Sequence, residues 1–373
     1  MVRILHYIGQ LQFGGSQAFV MEIYRKIDKE KVQFDFVVFT NDKSGYYQEI
    51  IQLGGRVFES PQFNGRNYFE FITWWNQFFS LHPEYKVFHS HVRSVAALCI
   101  SIAHKYGCYA IAHSHSTSNG RGIKAIIKNI MQFPIRYQAN YMFACSEEAG
   151  EWLYGKNIAK RKNYRVIPNA IDAVRFNFDQ DKRKQVRAEL NIEDKFVVGH
   201  VGRISAVKNH EFLVEIFSEI VKKKENAVLL LVGDGDRREA VEKKCKQLEV
   251  YEKVIFLGSR SNTQDYYQAM DVFVFPSLWE GLGIVVIEAQ TAGLPCIVSE
   301  CIPKEIDLGI GLICRMGLDH GVKVWADKIV KNSACNRYGQ EEAVKKAGYD
   351  VTANAGKIQR FYLKIDTKIR NEK

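Results

Sequence analysis

The stretch Pro276-Ser277-Leu278-Trp279-Glu280-Gly281-Leu282-Gly283-Ile284-Val285-Val286-Ile287-Glu288-Ala289 decides how the rest of the chain reads. It follows Asp271 to Phe275, an alternating β-branched and aromatic run stopped by a proline, the pattern of a strand that ends in a loop. Past the two glycines Ile284 to Thr291 is an apolar run with Glu288 inside it, so a helix is predicted to begin near Gly283. Glu288 then lies about one and a half turns in, roughly 7 Å along the axis from the open end. Glu280 sits just outside that end. Two carboxylates at different depths therefore flank a helix N-terminus whose bare N–H groups attract anions. The same letters also suit a plain cap and the solvated edge of a helix, and the neighbouring segments decide between the readings. A ligand with hydroxyls at both ends and phosphates between them fits the layout, as a nucleotide-sugar does.

Length and composition bound the possibilities. A chain of 373 residues suggests two or three domains, and 46% apolar with 25% charged residues is the make-up of a soluble globular protein. No apolar run approaches the ~18 residues that read as a membrane span. The opening Met1-Val2-Arg3-Ile4-Leu5-His6 is too polar for a secretory signal and reads as a first strand. None of the eight cysteines forms Cys-x-x-Cys, and several fall in apolar runs, so a reduced cytoplasmic chain is expected. The net charge of +10 calls for an anionic partner: nucleic acid, an acidic membrane surface or a phosphorylated metabolite.

Strands are predicted at 2–8, 34–39, 56–58, 86–91, 109–114, 141–145 and 164–167, with helices between them, an α/β alternation that implies a parallel sheet covered by helices. The first loop ends in Gly14-Gly15, which allows a phosphate a close backbone approach, and Ser16 is predicted to cap the helix that follows. The loop lacks G-x-G-x-x-G spacing, so a nicotinamide dinucleotide is not implied. His89-Ser90-His91 and His113-Ser114-His115 close two predicted strands at the edge where open α/β sheets bind ligands. Two H-x-H pairs invite zinc, but no adjacent Asp, Glu or Cys completes a ligand set, so no metal is expected and His113 or His115 is placed beside the ligand.

Residues 85–146 contain no acidic side chain, while Arg121, Lys124 and Lys128 fall on one helical face and Ile123, Ile126, Ile127, Ile130 and Met131 supply an apolar one. This pattern fits a helix on an anionic bilayer, and equally a helix packed on the sheet with its lysines in solvent. Pro168-Asn169-Ala170-Ile171-Asp172 opens a polar stretch and marks the domain boundary, giving domains at 1–170 and 171–350 and a terminal helix at 351–373. A second alternation follows, with strands at 196–201, 227–232, 254–257 and 272–275. Its first strand leads into Gly202-Arg203-Ile204-Ser205-Ala206-Val207-Lys208-Asn209, where a planar guanidinium and a point-charge ammonium offer complementary grips on a diphosphate. Gly233-Asp234-Gly235-Asp236 reads as a tight turn near the nucleotide and not as a metal site.

Taken together, Gly14-Gly15, Pro168-Asn169, Arg203-x4-Lys208, Gly233-Asp234-Gly235, Pro276-Ser277 and Glu280-x7-Glu288 resemble, in order and spacing, the retaining glycosyltransferases of family four. Val198-Gly199-His200-Val201-Gly202-Arg203, Lys208-Asn209-His210 and Glu288-Ala289-Gln290 look closest to the branch that builds bacterial exopolysaccharide and capsule. The resemblance runs to about Glu305. It implies a GT-B fold, two Rossmann-like domains facing across a cleft, with the C-terminal helix crossing back to the first. It implies that Arg203 and Lys208 neutralise the diphosphate, that Glu288 binds ribose hydroxyls, and that Glu280 with the backbone of Gly281, Leu282 and Gly283 holds the donor sugar. Gly15 would contact the phosphate, Arg260 would lie near the base, and His115, in preference to His113, would be the histidine at the reacting face. Such enzymes need no metal, and their retention is usually explained by front-face attack. A nucleotide diphosphate sugar donor, here a uridine diphosphate sugar, a lipid-linked saccharide acceptor and a place at the inner membrane face are the implied partners and location.

Two positions depart from the family pattern: Ala170 stands where many members have Gly, and Ser116 where some have an acid. A uridine diphosphate sugar 2-epimerase of the same fold would use the same donor without an acceptor. A basic nucleic-acid-binding protein is the reading from another class, but no zinc-finger, RNP or helix-turn-helix pattern supports it.

Overall fold

The computed structural model describes residues 1–40, 42–116, 122–333 and 336–371. They divide into two units, Met1–Ala170 with Val351–Lys373, and Ile171–Asp350. The first holds a sheet of β1 (Val2–Gly9), β2 (Val32–Val38), β3 (Val57–Glu59), β4 (Val87–Ser90), β5 (Tyr109–Ser114), β6 (Tyr141–Ala144) and β7 (Tyr164–Val166). Its order is β3-β2-β1-β4-β5-β6-β7, with every pairing parallel. The second holds β8 (Phe196–Val201), β9 (Ala227–Val232), β10 (Val254–Gly258), β11 (Val272–Phe275), β12 (Cys296–Ser299) and β13 (Ile313–Met316). Its order is β10-β9-β8-β11-β12-β13, again parallel. Both sheets are therefore Rossmann-like, with helices on both faces. That is why β8, β9 and β11 are apolar at nearly every position and buried throughout.

In each sheet the strand order reverses beside the first strand, between β1 and β4 and between β8 and β11. Ligands of open α/β sheets bind outside the strand ends at that point. The loops leaving β1, β4, β8 and β11 carry, in turn, Gly15, His91, Arg203 with Lys208, and Glu280.

Several local expectations change. The first helix, Gly15–Lys26, begins at Gly15 with Gly14 as N-cap; Ser16 lies inside it, and its hydroxyl donates to Gln17 Oε1. The strands β12 and β13 were not predicted, because Pro303, Gly309 and Gly311 interrupt the run between them and give it the look of a loop. The polar stretch after the boundary is itself helical at Gln180–Glu189, where the Asp179 carboxylate accepts from the Asp181 and Lys182 amides. Within the basic stretch, the helix Ile123–Gln132 does not pack its isoleucines on the sheet: Ile123, Ile126, Ile127 and Ile130 are exposed, and Ala125 and Gln132 form the buried side. Lys128 is exposed; Arg121 and the Lys124 side chain lie outside what is described.

The C-terminal helix, Val351–Asn371, buries Val351, Ala355, Ile358, Tyr362 and Ile365, a stripe at three- and four-residue spacing, in the core built on β1 and β2. Asn354 Nδ2 donates to the Pro168 carbonyl at 3.0 Å, so the helix also clasps the last residues of the first stretch of this unit. The Tyr362 hydroxyl lies 2.6 Å from His89 Nδ1, deep inside. Tyr362→Phe keeps the ring but strands that nitrogen, and is expected to lower unfolding stability by about 1–2 kcal/mol. Tyr362→Ala removes the ring as well and is expected to cost about 3–5 kcal/mol, both measured by urea titration of the purified chain.

Candidate active site

The second unit assembles its site from loops that are hydrogen-bonded to one another. The Leu278 amide donates to the Val207 carbonyl at 2.8 Å, and Asn209 Nδ2 donates to the Pro276 carbonyl at 3.2 Å. These two bonds fasten the loop after β8 to the loop after β11. Across the join, Lys208 Nζ donates to Glu280 Oε1 at 2.6 Å, with both side chains mostly shielded from solvent. The ammonium also stands 4.6 Å from the centre of the Phe275 ring. The cation and the outer carboxylate, which are 72 residues apart in sequence, thus meet at the reversal of strand order.

The helix Ile284–Thr291 starts beside them. Its N-cap is Gly283 at φ 85° and ψ 48°, a left-handed conformation that favours glycine, and no side chain caps its first turn. Of its first-turn amides, that of Val286 donates to the Gly283 carbonyl at 2.9 Å. Glu288 is the fifth residue, about 6 Å along the axis, and its Oε2 accepts from the Tyr267 hydroxyl at 2.7 Å. Gly281 has open space around it, and Leu282 is buried.

Arg203 is exposed and makes no side-chain hydrogen bond or ion pair among the described residues. The turn at Gly233 lies against its loop: the Ile204 amide donates to the Asp234 carbonyl at 3.0 Å, and a Cβ on Gly233 would lie 2.0 Å from the Gly202 carbonyl oxygen. Asp234 pairs with Arg238 at 3.2 Å. Arg260 is exposed just past β10.

The sequence reading gave no role to several groups around this site: Tyr267, Phe275, His200 and His210. His200 and His210 are buried with ring centres 4.5 Å apart. His200 Nδ1 donates to the Val274 carbonyl at 2.9 Å, while its Nε2 and both nitrogens of His210 have no partner among the described residues. Burial, and then the neighbouring Lys208 charge, push His210 down to about 4. The signal available in the sequence was position alone, one histidine in the strand before Arg203 and one opening the helix after Lys208.

In the first unit Gly15 is exposed, and a Cβ there would meet nothing within 4 Å. Both H-x-H pairs come together, and His6 of β1, which the sequence reading did not single out, joins them. His6 Nδ1 lies 3.0 Å from His91 Nε2, and His91 Nδ1 lies 2.8 Å from His115 Nε2. His113 is fully buried and His115 half-buried, and among the described residues neither nitrogen of His113 nor the buried Nδ1 of His115 has a hydrogen-bond partner. His6, His89 and His91, and likewise His91, His113 and His115, each bring three nitrogens within 4.8 Å of one another, so two overlapping trios have the spacing of metal ligands. Burial is the main force on all of these rings. It holds His6, His89, His91 and His113 well below their ordinary value, and burial followed by Arg93 takes His115 to about 3.

These rings, with His200 and His210, fold neutral and are protonated more readily when unfolded. The stability they contribute is complete above the ordinary value of 6.5 and is lost as pH falls below it, at up to about 1.4 kcal/mol per group per pH unit. The melting temperature is expected to fall steeply from pH 6.5 to 5, before most carboxylates titrate; a flat profile over that range would contradict the buried neutral rings.

Comparison with known proteins identifies the family and the fold. Residues 13–175 match the profile described as Glycosyltransferase Family 4, and residues 181–307 match Glycosyl transferases group 1. EpsF of Bacillus subtilis (strain 168), designated a glycosyltransferase, is 33% identical over 368 residues, 96% of each chain. The Escherichia coli UDP-Gal:alpha-D-GlcNAc-diphosphoundecaprenol alpha-1,3-galactosyltransferase is 26% identical over 311 residues, 75% of this chain and 76% of that one. The crystal structure of Anabaena Alr3699/HepE in complex with UDP and glucose matches at a TM-score of 0.77 and 16% identity, over 97% of this chain and 99% of that one, a likeness of fold. Since the likeness to EpsF runs almost end to end and both profiles fall in order on the two units, the chain belongs to glycosyltransferase family 4 and is a glycosyltransferase of the GT-B fold.

Proposed function

We propose that this glycosyltransferase moves a sugar, with retention at the anomeric carbon, from a uridine diphosphate sugar to a lipid-linked saccharide in exopolysaccharide or capsule synthesis. The observation that carries the reading is the Lys208–Glu280 pair beside the uncapped helix at Gly283, with Arg203 unengaged on the same loop. Support for the donor comes from the UDP and glucose held by the Anabaena protein. Support for the acceptor comes from the diphosphoundecaprenol in the name of the Escherichia coli relative.

In this reading the bond from the anomeric carbon to the phosphate oxygen breaks, leaving negative charge on the diphosphate and positive charge on the ring. Arg203 and Lys208 stabilise the departing diphosphate, where fixed cations gain most, and no divalent ion is needed for it. The acceptor oxygen bonds the anomeric carbon from the same face, and its proton passes to the leaving phosphate oxygen. Glu280 and the backbone of Gly281, Leu282 and Gly283 hold the sugar, Glu288 takes the ribose hydroxyls, and Arg260 serves the base. Gly15 is assigned to the phosphate, and His115, in preference to His113, to the reacting sugar. Arg203→Ala and Lys208→Ala are each expected to lower kcat/KM by about 10²-fold or more; the thermal melt should be unchanged in Arg203→Ala and lowered in Lys208→Ala, which leaves Glu280 unpaired. Near-normal turnover in either purified variant would refute the assignment, and so would loss of activity in EDTA for the metal-free reading.

The same proposal places the enzyme at the cytoplasmic face of an anionic membrane through the helix Ile123–Gln132. Its support is the exposed apolar row (Ile123 is 77% and Ile130 68% exposed) in a stretch that carries cations and no acid. Among the described residues no helix is long and apolar enough to cross a membrane. The chain is expected to float with phosphatidylglycerol vesicles and not with phosphatidylcholine ones. Ile126→Asp with Ile130→Asp should abolish flotation, and Lys128→Ala should weaken it about fivefold at low salt. Equal binding to neutral vesicles would overturn the electrostatic part of the reading.

A further inference from the structure

The helix Thr263–Ala269 follows directly on the loop that carries Arg260. Arg175 fastens the join, donating to the Ser261 carbonyl at 2.9 Å and to Gln264 Oε1 at 2.8 Å. From this helix Tyr267 turns its ring inward, fully buried beside Phe176 and Phe273, with ring centres 5.9 and 5.7 Å away. Its hydroxyl emerges against the helix Ile284–Thr291, 2.7 Å from Glu288 Oε2 and 3.1 Å from the Val285 carbonyl. Arg337 ties the two helices together a second time: its guanidinium donates to the Tyr267 carbonyl at 3.1 Å and to the Ala292 carbonyl at 2.7 Å.

A phenol has one hydrogen to give. Of the two acceptors in reach the carboxylate oxygen is the nearer and the stronger, so the hydrogen points to Glu288. Burial, and then the Glu288 charge, hold the phenol well above its ordinary value, so it stays a donor at neutral pH and well beyond. A glutamate has three rotatable bonds, and binding through its carboxylate surrenders their freedom. Here a rigid ring on one helix restrains a half-buried, flexible side chain on the next before any ligand arrives. We propose that Tyr267 is a positioning residue, whose hydroxyl holds Glu288 in the one orientation that receives the ribose hydroxyls of the nucleotide. The proposal rests on the reading of Glu288 as the ribose-binding carboxylate. It adds that the carboxylate is ordered from the helix that starts at the Arg260 loop, so one short element sets the spacing between the groups assigned to base and ribose.

Calorimetric binding of UDP and of 2′,3′-dideoxy-UDP to the purified full chain tests this. Tyr267→Phe fills the same space and loses only the hydroxyl, and a thermal melt checks that it is folded. It is expected to weaken UDP about fivefold and to leave dideoxy-UDP, which lacks both ribose hydroxyls, unchanged. With UDP-glucose as donor probe its KM should rise about fivefold at nearly constant kcat, since the ribose is held alike before and during the reaction. Glu288→Ala should weaken UDP about tenfold, and Tyr267→Phe added to it should change nothing more. If Tyr267→Phe weakens both probes equally, the tyrosine is merely structural and the proposal is overturned. It is overturned as well if Tyr267→Phe weakens neither probe while Glu288→Ala weakens UDP, and the ribose reading then stands. If Glu288→Ala leaves UDP binding intact, the ribose reading itself fails and the proposal falls with it.

Discussion

Parallel strands joined by crossovers of one hand must all end at the same edge of their sheet, and this constraint organises each half of the molecule. Every loop that leaves a strand there starts from the same rim. Where the strand order turns back on itself, two of those loops diverge to opposite faces and leave room between them. In the second unit the diverging loops are those after β8 and β11, and they carry Arg203 with Lys208 on one side and Glu280 on the other. The sheet thereby brings together groups that the chain keeps more than seventy residues apart.

Local bonding then turns proximity into geometry. The loops are fastened by backbone and amide bonds from Leu278 and Asn209, so the Lys208–Glu280 pair does not have to hold them together by itself. That matters because an ion pair shielded from solvent contributes little net stability, its desolvation offsetting most of the attraction. The pair is better understood as a means of holding an ammonium where a more strongly charged ligand can engage it. In the first unit the corresponding rim is backed by neutral histidines, which offer hydrogen bonds without fixed charge. The C-terminal helix seals the inner end of that cluster through Tyr362.

The alternation of strands and helices was legible because strands buried on both faces are written as unbroken apolar runs. β5, β8, β9 and β11 fall where their runs predict. β12 and β13 were not legible, since Pro295, Pro303, Gly309 and Gly311 break the chain around them into short pieces that read as loop. The helix start at Gly283 was legible from its glycines; the C-terminal helix was legible as an element, but not the stripe it buries, since Tyr362 carries a hydroxyl that disguises a core residue. The helix Ile123–Gln132 shows the opposite case. Its two faces were plain in the sequence, but whether the apolar one meets the sheet is a fact about neighbours, and the pattern was compatible with both outcomes.

The sequence by itself determined the fold class, the family resemblance and the chemical character of the loops: which ones carry cations, which carboxylates, and where glycine keeps the backbone bare. Those properties are set by residue type and spacing over a few turns of chain. Only the tertiary structure decided that Lys208 faces Glu280, that Tyr267 holds Glu288, and that His6 completes a line with His91 and His115. Each of these contacts depends on the lateral register of strands far apart in the chain. Register is fixed by how whole faces pack, and no short stretch of residues carries that information.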